Sequence, residues 1–125
     1  MSGNKLLLAT NSILYLLSGD ETLADILDKK HNYVSFITEL ELYSFKLLTK
    51  AEKQKIDAVL SACTIIDINT GIKRHAIAIR QSHSLKLPDS IIAGTSMYLD
   101  IPLITSDKAF NKVDDLGLVF YEYEK

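Results

Sequence analysis

The sequence predicts an α/β fold in which a central parallel sheet of about five strands is flanked by helices. Two patterns carry that prediction. Short apolar runs of strand length alternate along the chain with longer stretches of helical period. Strand–helix alternation also requires right-handed crossovers, which cover both faces of a parallel sheet and leave its strands apolar throughout. In chain order, the first strand is Leu6–Ala9, and its run ends in Ala9-Thr10-Asn11. Ile13, Leu14, Leu16 and Leu17 open a helix, and Leu23, Ile26 and Leu27 continue after Ser18-Gly19-Asp20. The second strand is Tyr33–Ile37, followed by a helix with Glu39 and Glu41 in its first turn. Thr49 caps the next helix, with Glu52 three residues on to complete a capping box and Ile56, Val59 and Leu60 on one face. Thr64–Asp67 is the third strand, and Asn69 caps a helix carrying Ile72, Ala76, Ile79 and Arg80. Pro88 suits the first turn of another helix, because its φ is preset and Leu87 before it is pushed extended. Leu103–Thr105 and Leu118–Tyr121 are the last two strands.

Residues 1–125 read as one domain, since 125 residues and 14.0 kDa are enough to bury a core and no linker or repeat divides them. Hydrophobic residues at 47% and charged residues at 24% exclude a disordered chain. No apolar run approaches the roughly 18–20 residues that span a bilayer. The apolar start is broken by Asn11 and Ser12 with no small-residue cleavage site, so a cytoplasmic location is expected. A lone Cys63 cannot close an internal disulfide, in keeping with a reducing compartment, and its apolar neighbours make it a buried small hydrophobe. The net charge of −2 and pI near 5.9 do not advertise a nucleic-acid face. A carboxylate cluster that holds a metal would lower the total while the ion restored positive charge locally.

In such sheets ligands bind beyond the carboxyl ends of the strands. The residues there are Ala9, then Glu39 and Glu41, then Asp89 in "LPDSIIAGTS" and Asp107 in "LITSDKAF". Each acid has an ordinary reading alone: Asp89 favoured by a helix dipole, Glu41 on an amphipathic surface, Asp107 forming a turn. Gathered at one end of one sheet, three carboxylates would repel strongly unless a cation lay between them. Oxygen-only ligands suit Mg²⁺ or Mn²⁺, and such a site does metal-assisted attack of water on a phosphodiester.

Four stretches in order sharpen this reading: "LLLATNSILYLL", Thr38-Glu39-Leu40-Glu41-Leu42, "LPDSIIAGTSMYLDIPLIT", and Thr105-Ser106-Asp107 with Phe110. Together, from Lys5 to Phe110, they resemble the PIN-domain ribonucleases, in particular the VapC-type toxins of bacterial toxin–antitoxin pairs. That family carries Asp-Thr-Asn after its first strand, then Thr-x-x-Glu-Leu, then Pro-Asp or Ala-Asp before a small-residue helix, then Thr-x-Asn or Thr-x-Asp before a Phe. The resemblance implies a PIN-like three-layer sandwich and a divalent-metal-dependent endoribonuclease, with tRNA the family's commonest target and products bearing 5′-phosphate and 3′-hydroxyl ends. It places the acids at Glu41, Asp89 and Asp107 as ligands of Mg²⁺ or Mn²⁺. Glu41, three residues after Thr38, carries over; Glu39 does not, and the two point about 200° apart on a helix. The family's first acid falls on Ala9.

By the same resemblance Thr10, Asn11, Thr105 and Ser106 orient the carboxylates, against the plainer readings of turn residues and, for Asn11, a helix cap. Arg80 and Lys86 flank the approach to Asp89 and hold RNA phosphates, or are solvated helix charges like Lys73-Arg74-His75. Implied partners are RNA, a second copy in a homodimer, and an antitoxin laid over apolar material from the first two helices: Leu14, Tyr15, Leu17, Leu23, Ile26 and Leu27. Two explanations of Ala9 stand: a domain that has given up catalysis and binds RNA or a protein partner, or an Asp replaced to inactivate a growth-arresting nuclease. Retention of the other three acids favours the second, because clustered unpaired acids destabilise a fold. A signalling receiver domain would need acids after the first strand and a Lys after the fifth. A dinucleotide-binding module would need a Gly-rich loop. Both are absent.

Overall fold

The computed structural model describes residues 3–123. Five strands, β1 (Lys5–Leu8), β2 (His31–Ser35), β3 (Thr64–Ile66), β4 (Leu103–Thr105) and β5 (Leu118–Phe120), form one sheet in the order β3-β2-β1-β4-β5. Every pairing is parallel, with Leu6 against Asn32, Leu8 against Ile104 and Ile104 against Val119. Six helices cover the sheet: α1 (Thr10–Leu17), α2 (Glu21–Leu27), α3 (Phe36–Tyr43), α4 (Lys50–Ser61), α5 (Thr70–Ser82) and α6 (Leu87–Leu99). A 3₁₀ turn, Lys108–Lys112, follows β4.

The pleat divides the core into two layers, because successive strand residues face opposite ways. Leu6 and Leu8 join Ile13, Leu23, Leu42, Ile56 and Leu60 from α1 to α4. Leu7, between them, joins Ile79, Ile92, Leu103 and Phe110 on the α5–α6 side. The result is a three-layer sandwich. Strand order reverses at β1, which has β2 on one side and β4 on the other, so the crevice beyond β1 and β4 is the place where this topology puts a ligand.

Local chemistry sets most element ends. Thr49 accepts from the Glu52 N–H and Glu52 returns the bond to Thr49, a complete capping box. Asn69 caps α5 through the Ile72 N–H. Pro88 lies in the first turn of α6, where a missing N–H costs nothing. The expected second strand was displaced: it runs His31–Ser35 and not Tyr33–Ile37, because the Ser35 hydroxyl accepts from the Ile37 N–H and opens α3 at Phe36. Glu39 therefore lies in the first turn and Glu41 in the second. Asn11 does not cap α1, whose N-cap is Ala9 with no side-chain bond. Asp89 sits three residues after Lys86, the α6 N-cap, and does not cap that helix itself. Cys63 is half-buried and not sealed in the core; its thiol is raised by burial and points at the Val59 carbonyl. Among the described residues no helix is long and apolar enough to cross a membrane.

Candidate active site

Four chain segments meet beyond the carboxyl ends of β1 and β4. The β1–α1 turn brings Ala9, Thr10 and Asn11, α3 brings Glu41, α6 brings Asp89 and Ile92, and the segment after β4 brings Asp107 and Phe110. With Leu14 they line one cavity of about 210 Å³. Of the residues expected in the site, Glu41, Asp89, Asp107, Ala9, Thr10 and Asn11 are thus brought together.

Asp89 feels the other two acids. Burial pushes the Asp89 carboxyl above its ordinary range, and the negative charges of Asp107 and then Glu41 push it further; Lys86 opposes them. Two of the acids are also held in place by hydrogen bonds. Glu41 Oε1 accepts from Thr10 Oγ1 at 2.8 Å, and Thr10 Oγ1 lies 2.9 Å from Thr38 Oγ1. Asp107 accepts from the Ala109 N–H at 2.9 Å, and its own N–H donates to Thr105 Oγ1 at 3.0 Å. Asn11 spans the crevice: its Nδ2 approaches Thr105 Oγ1 at 3.4 Å, and its Oδ1 lies 3.5 Å from the Ser106 N–H. These are long, weak bonds. They nevertheless give Asn11 a crossing role in place of the capping one. Ser106 Oγ is bound by the Tyr15 hydroxyl at 2.5 Å.

Other expected residues lie apart. Arg80 does not line the carboxylate cavity; its Nη1 donates to the Leu85 carbonyl at 3.4 Å, and it borders a separate hollow with Ile77 and Leu87. Lys86 reaches Asp89 only through its charge. Glu39 lies on the Tyr43 side of α3, where its charge helps to raise that phenol. Lys73 and Arg74 are exposed. Of the apolar residues considered for a partner, Leu23 and Leu27 are core, whereas Leu14 and Ile26 are exposed. Leu14 also borders a groove of about 290 Å³ with Leu17, Phe45, Leu48 and Ile56, rimmed by Glu52 and Lys55. Two contacts were not foreseen: Thr38, read only as the opening residue of the Thr-x-x-Glu stretch, meets Thr10, and Tyr15, read as partner-facing, meets Ser106.

The donors suit a hard divalent cation in kind, being carboxylate oxygens with no sulfur or imidazole among them. Ala9, 2% exposed, presents a methyl group to the same cavity, and among the described residues no three His, Cys, Asp or Glu side chains stand close enough together to hold a metal ion.

Comparison with known proteins agrees with this geometry. A toxin–antitoxin complex from Klebsiella pneumoniae contains a chain 32% identical, with 94% of this chain and 99% of that one aligned at a TM-score of 0.80. VapBC2 from Rickettsia felis, bound to a promoter DNA fragment, shares the fold at 19% identity and a TM-score of 0.83, covering 94% and 99% of the two chains. FitAcB from Neisseria gonorrhoeae does so at 24% identity and 0.75, covering 93% and 96%. No curated protein matches the chain. The profile of the PIN domain matches residues 6–116, from β1 through the 3₁₀ turn, and includes every segment that lines the cavity. This chain belongs to the PIN-domain family.

Proposed function

We propose that the chain is the toxin member of a toxin–antitoxin pair, built as a divalent-metal-dependent endoribonuclease and silenced or strongly impaired by Ala9. One observation carries the proposal: carboxylates from three separate elements border a single cavity at the sheet's switch point, where burial and the charges of Asp107 and Glu41 raise the proton affinity of Asp89. Glu41, Asp89 and Asp107 would hold Mg²⁺ or Mn²⁺, which when bound lowers the pKa of water and offsets charge on a phosphodiester. The remaining work falls to this chain's own groups. Thr10 holds Glu41, Thr105 and Asn11 hold the turn that carries Asp107, and Ser106 is held by Tyr15. Lys86, beside Asp89, and Arg80, further out, offer positive charge to RNA phosphates. RNA as substrate, and tRNA in particular, rests on the family resemblance. Loss of one ligand displaces the ion, and a misplacement of about 1 Å can slow a reaction about 10²-fold.

The antitoxin reading is supported by the complexes to which the chain is similar and by the apolar groove along α1 and α4, which an amphipathic helix would fit. Leu14 borders both groove and cavity, so an occupant of the groove would lie beside the carboxylates. A second copy of the chain is the other expected partner. A second reading, a PIN domain that binds RNA or protein without cleaving, is favoured by the way Ala9 packs into the core with Ile92 and Phe110.

The deciding experiment compares the chain with Ala9→Asp. Mn²⁺ is titrated into each by calorimetry, and total RNA is then added without antitoxin. Binding and discrete cleavage by Ala9→Asp alone is the expected result. Silence from both proteins refutes the nuclease reading and leaves the binding one.

A further inference from the structure

Buried threonines on helices usually give their hydroxyl to the carbonyl four residues back. Thr95 on α6 does so, with Oγ1 2.7 Å from the Ile91 carbonyl. Thr38 on α3 is as deeply buried, fully shielded from solvent, and sends its hydroxyl elsewhere: across to α1, 2.9 Å from Thr10 Oγ1. A valine would fill the same volume without the penalty of burying a hydroxyl. The polar atom therefore calls for a reason.

The direction of the bond supplies one. A hydroxyl carries a single proton. Thr10 donates its proton to Glu41 Oε1, so at Thr10 the bond to Thr38 is accepted, and Thr38 is the donor. The chain runs Thr38 to Thr10 to Glu41, closing a ring between two turns of α3 by way of the first residue of α1. Each donor in such a series polarises the next, by roughly 10–30% per bond. We propose that Thr38 is a positioning residue for Glu41, acting through Thr10 and never touching substrate. Its importance for metal binding rests on the reading of Glu41 as a ligand given above; its hold on Glu41 does not.

The test separates the two. In the metal-free chain, ¹³C relaxation of the Glu41 methylene groups is measured in Thr38→Val, Thr38→Ser and Thr95→Val. Thr38→Val should measurably increase the motion of Glu41, because Thr10 then holds it without an anchor of its own, while Thr38→Ser, which keeps the hydroxyl, and Thr95→Val, which removes an unrelated one, leave it ordered. Thermal melts show whether each variant folds. If Thr38→Val does not, Thr38→Ala, which introduces no bulk, makes the same prediction. Glu41 staying ordered in the variants that lack the hydroxyl overturns the proposal. In an Ala9→Asp background, Thr38→Val should weaken Mn²⁺ about tenfold and Thr38→Ser less than about twofold. If Ala9→Asp itself binds no Mn²⁺, the nuclease reading fails, and the Glu41 measurement still decides the role of Thr38.

Discussion

Gly94 lies in the middle of α6, five residues from Asp89, and tests how tightly the site is coupled to its frame. A Cβ at position 94 would stand 3.0 Å from the Ala76 backbone nitrogen, 3.2 Å from the Ile72 carbonyl oxygen and 3.3 Å from His75 Cβ. Two of these atoms are backbone in the interior of α5, so neither can swing aside. Gly94→Ala therefore sets two effects against each other. Replacing a mid-helix glycine stabilises by about 1 kcal/mol. Forcing a methyl group against rigid backbone costs about 1–3 kcal/mol. Close approach to two backbone atoms puts this site toward the upper end, so a net loss of about 1–2 kcal/mol follows. At about 2.1 cal/mol/K per residue, a chain of this size has an unfolding entropy near 0.26 kcal/mol/K, and the expected fall in Tm is about 4–8 °C. Calorimetric or circular-dichroism melting measures it directly. An unchanged or raised Tm would show that the two helices separate freely and that the contact reasoning is wrong. In an Ala9→Asp background the same substitution should reduce RNA cleavage at 25 °C, where the protein stays folded, because a shift of α6 carries Asp89 with it.

Two further outcomes concern charge. In the folded chain Asp89 binds its proton more tightly than in the unfolded one, so its contribution to stability is present below the unfolded pKa near 3.9 and lost as pH rises through the raised folded value. Asp89→Asn should accordingly raise Tm at pH 7 by a degree or two, about 0.5 kcal/mol after allowance for partial exposure, with the gain shrinking toward pH 4; a fall at pH 7 would contradict the reading that burial and the charges of Asp107 and Glu41 disfavour the Asp89 carboxylate. Tyr43 donates to Asp57 at 2.5 Å, and that bond, then burial, then the charges of Asp57 and Glu39 push its phenol to about 12. The stability it confers is full below the ordinary tyrosine value near 10 and is lost as pH rises through the folded value. Alkaline titration followed by absorbance should show Tyr43 ionising late, and moving toward the ordinary range in Asp57→Asn.

What the sequence makes legible follows from how local the cause is. The parallel strands stand out because strands buried on both faces are apolar along their length, and the Thr49 and Asn69 caps stand out because a cap and its partner lie three residues apart. The end of β2 was hidden by its own hydrophobicity: Phe36 and Ile37 prolong the apolar run, and only the Ser35 hydroxyl marks the change to helix. The role of Asn11 depends on Thr105 and Ser106, more than ninety residues away, so capping and crossing look alike until the sheet is assembled. Thr38 and Thr10 are 28 residues apart and meet only because α1 and α3 pack on the same face. Arg80 shows the converse: nearness in the chain to Asp89 did not bring it into the cavity, and it borders a separate hollow with Ile77 and Leu87. Glu41 and Asp107 were legible because each follows a strand that ends at the switch point, whereas Asp89, on α6 after α5, joins them only through the packing of that helix.

The same separation of frame from chemistry explains how position 9 tolerates alanine. Ala9 serves the fold through its backbone: its N–H donates to the Ile104 carbonyl, and its own carbonyl accepts from the Ser12 and Ile13 N–H groups, joining β1, β4 and the start of α1. None of these bonds needs a carboxylate, and the methyl group adds to the core shared with Ile92 and Phe110. An Asp at this position would keep the backbone bonds, lose that apolar contact and bring a fourth acid to a cavity where the charges of Asp107 and Glu41 already act on Asp89. Ala9→Asp should therefore melt below the present chain when metal is absent. A cation that binds only the folded form returns stability as RT ln(1 + [L]/Kd), about 2.7 kcal/mol at a hundredfold excess over Kd, so the Tm of Ala9→Asp should climb with Mn²⁺ while that of the present chain stays flat. A flat response in both would mean that the acids do not converge on a common ion, and the metal would have to leave the account of this site.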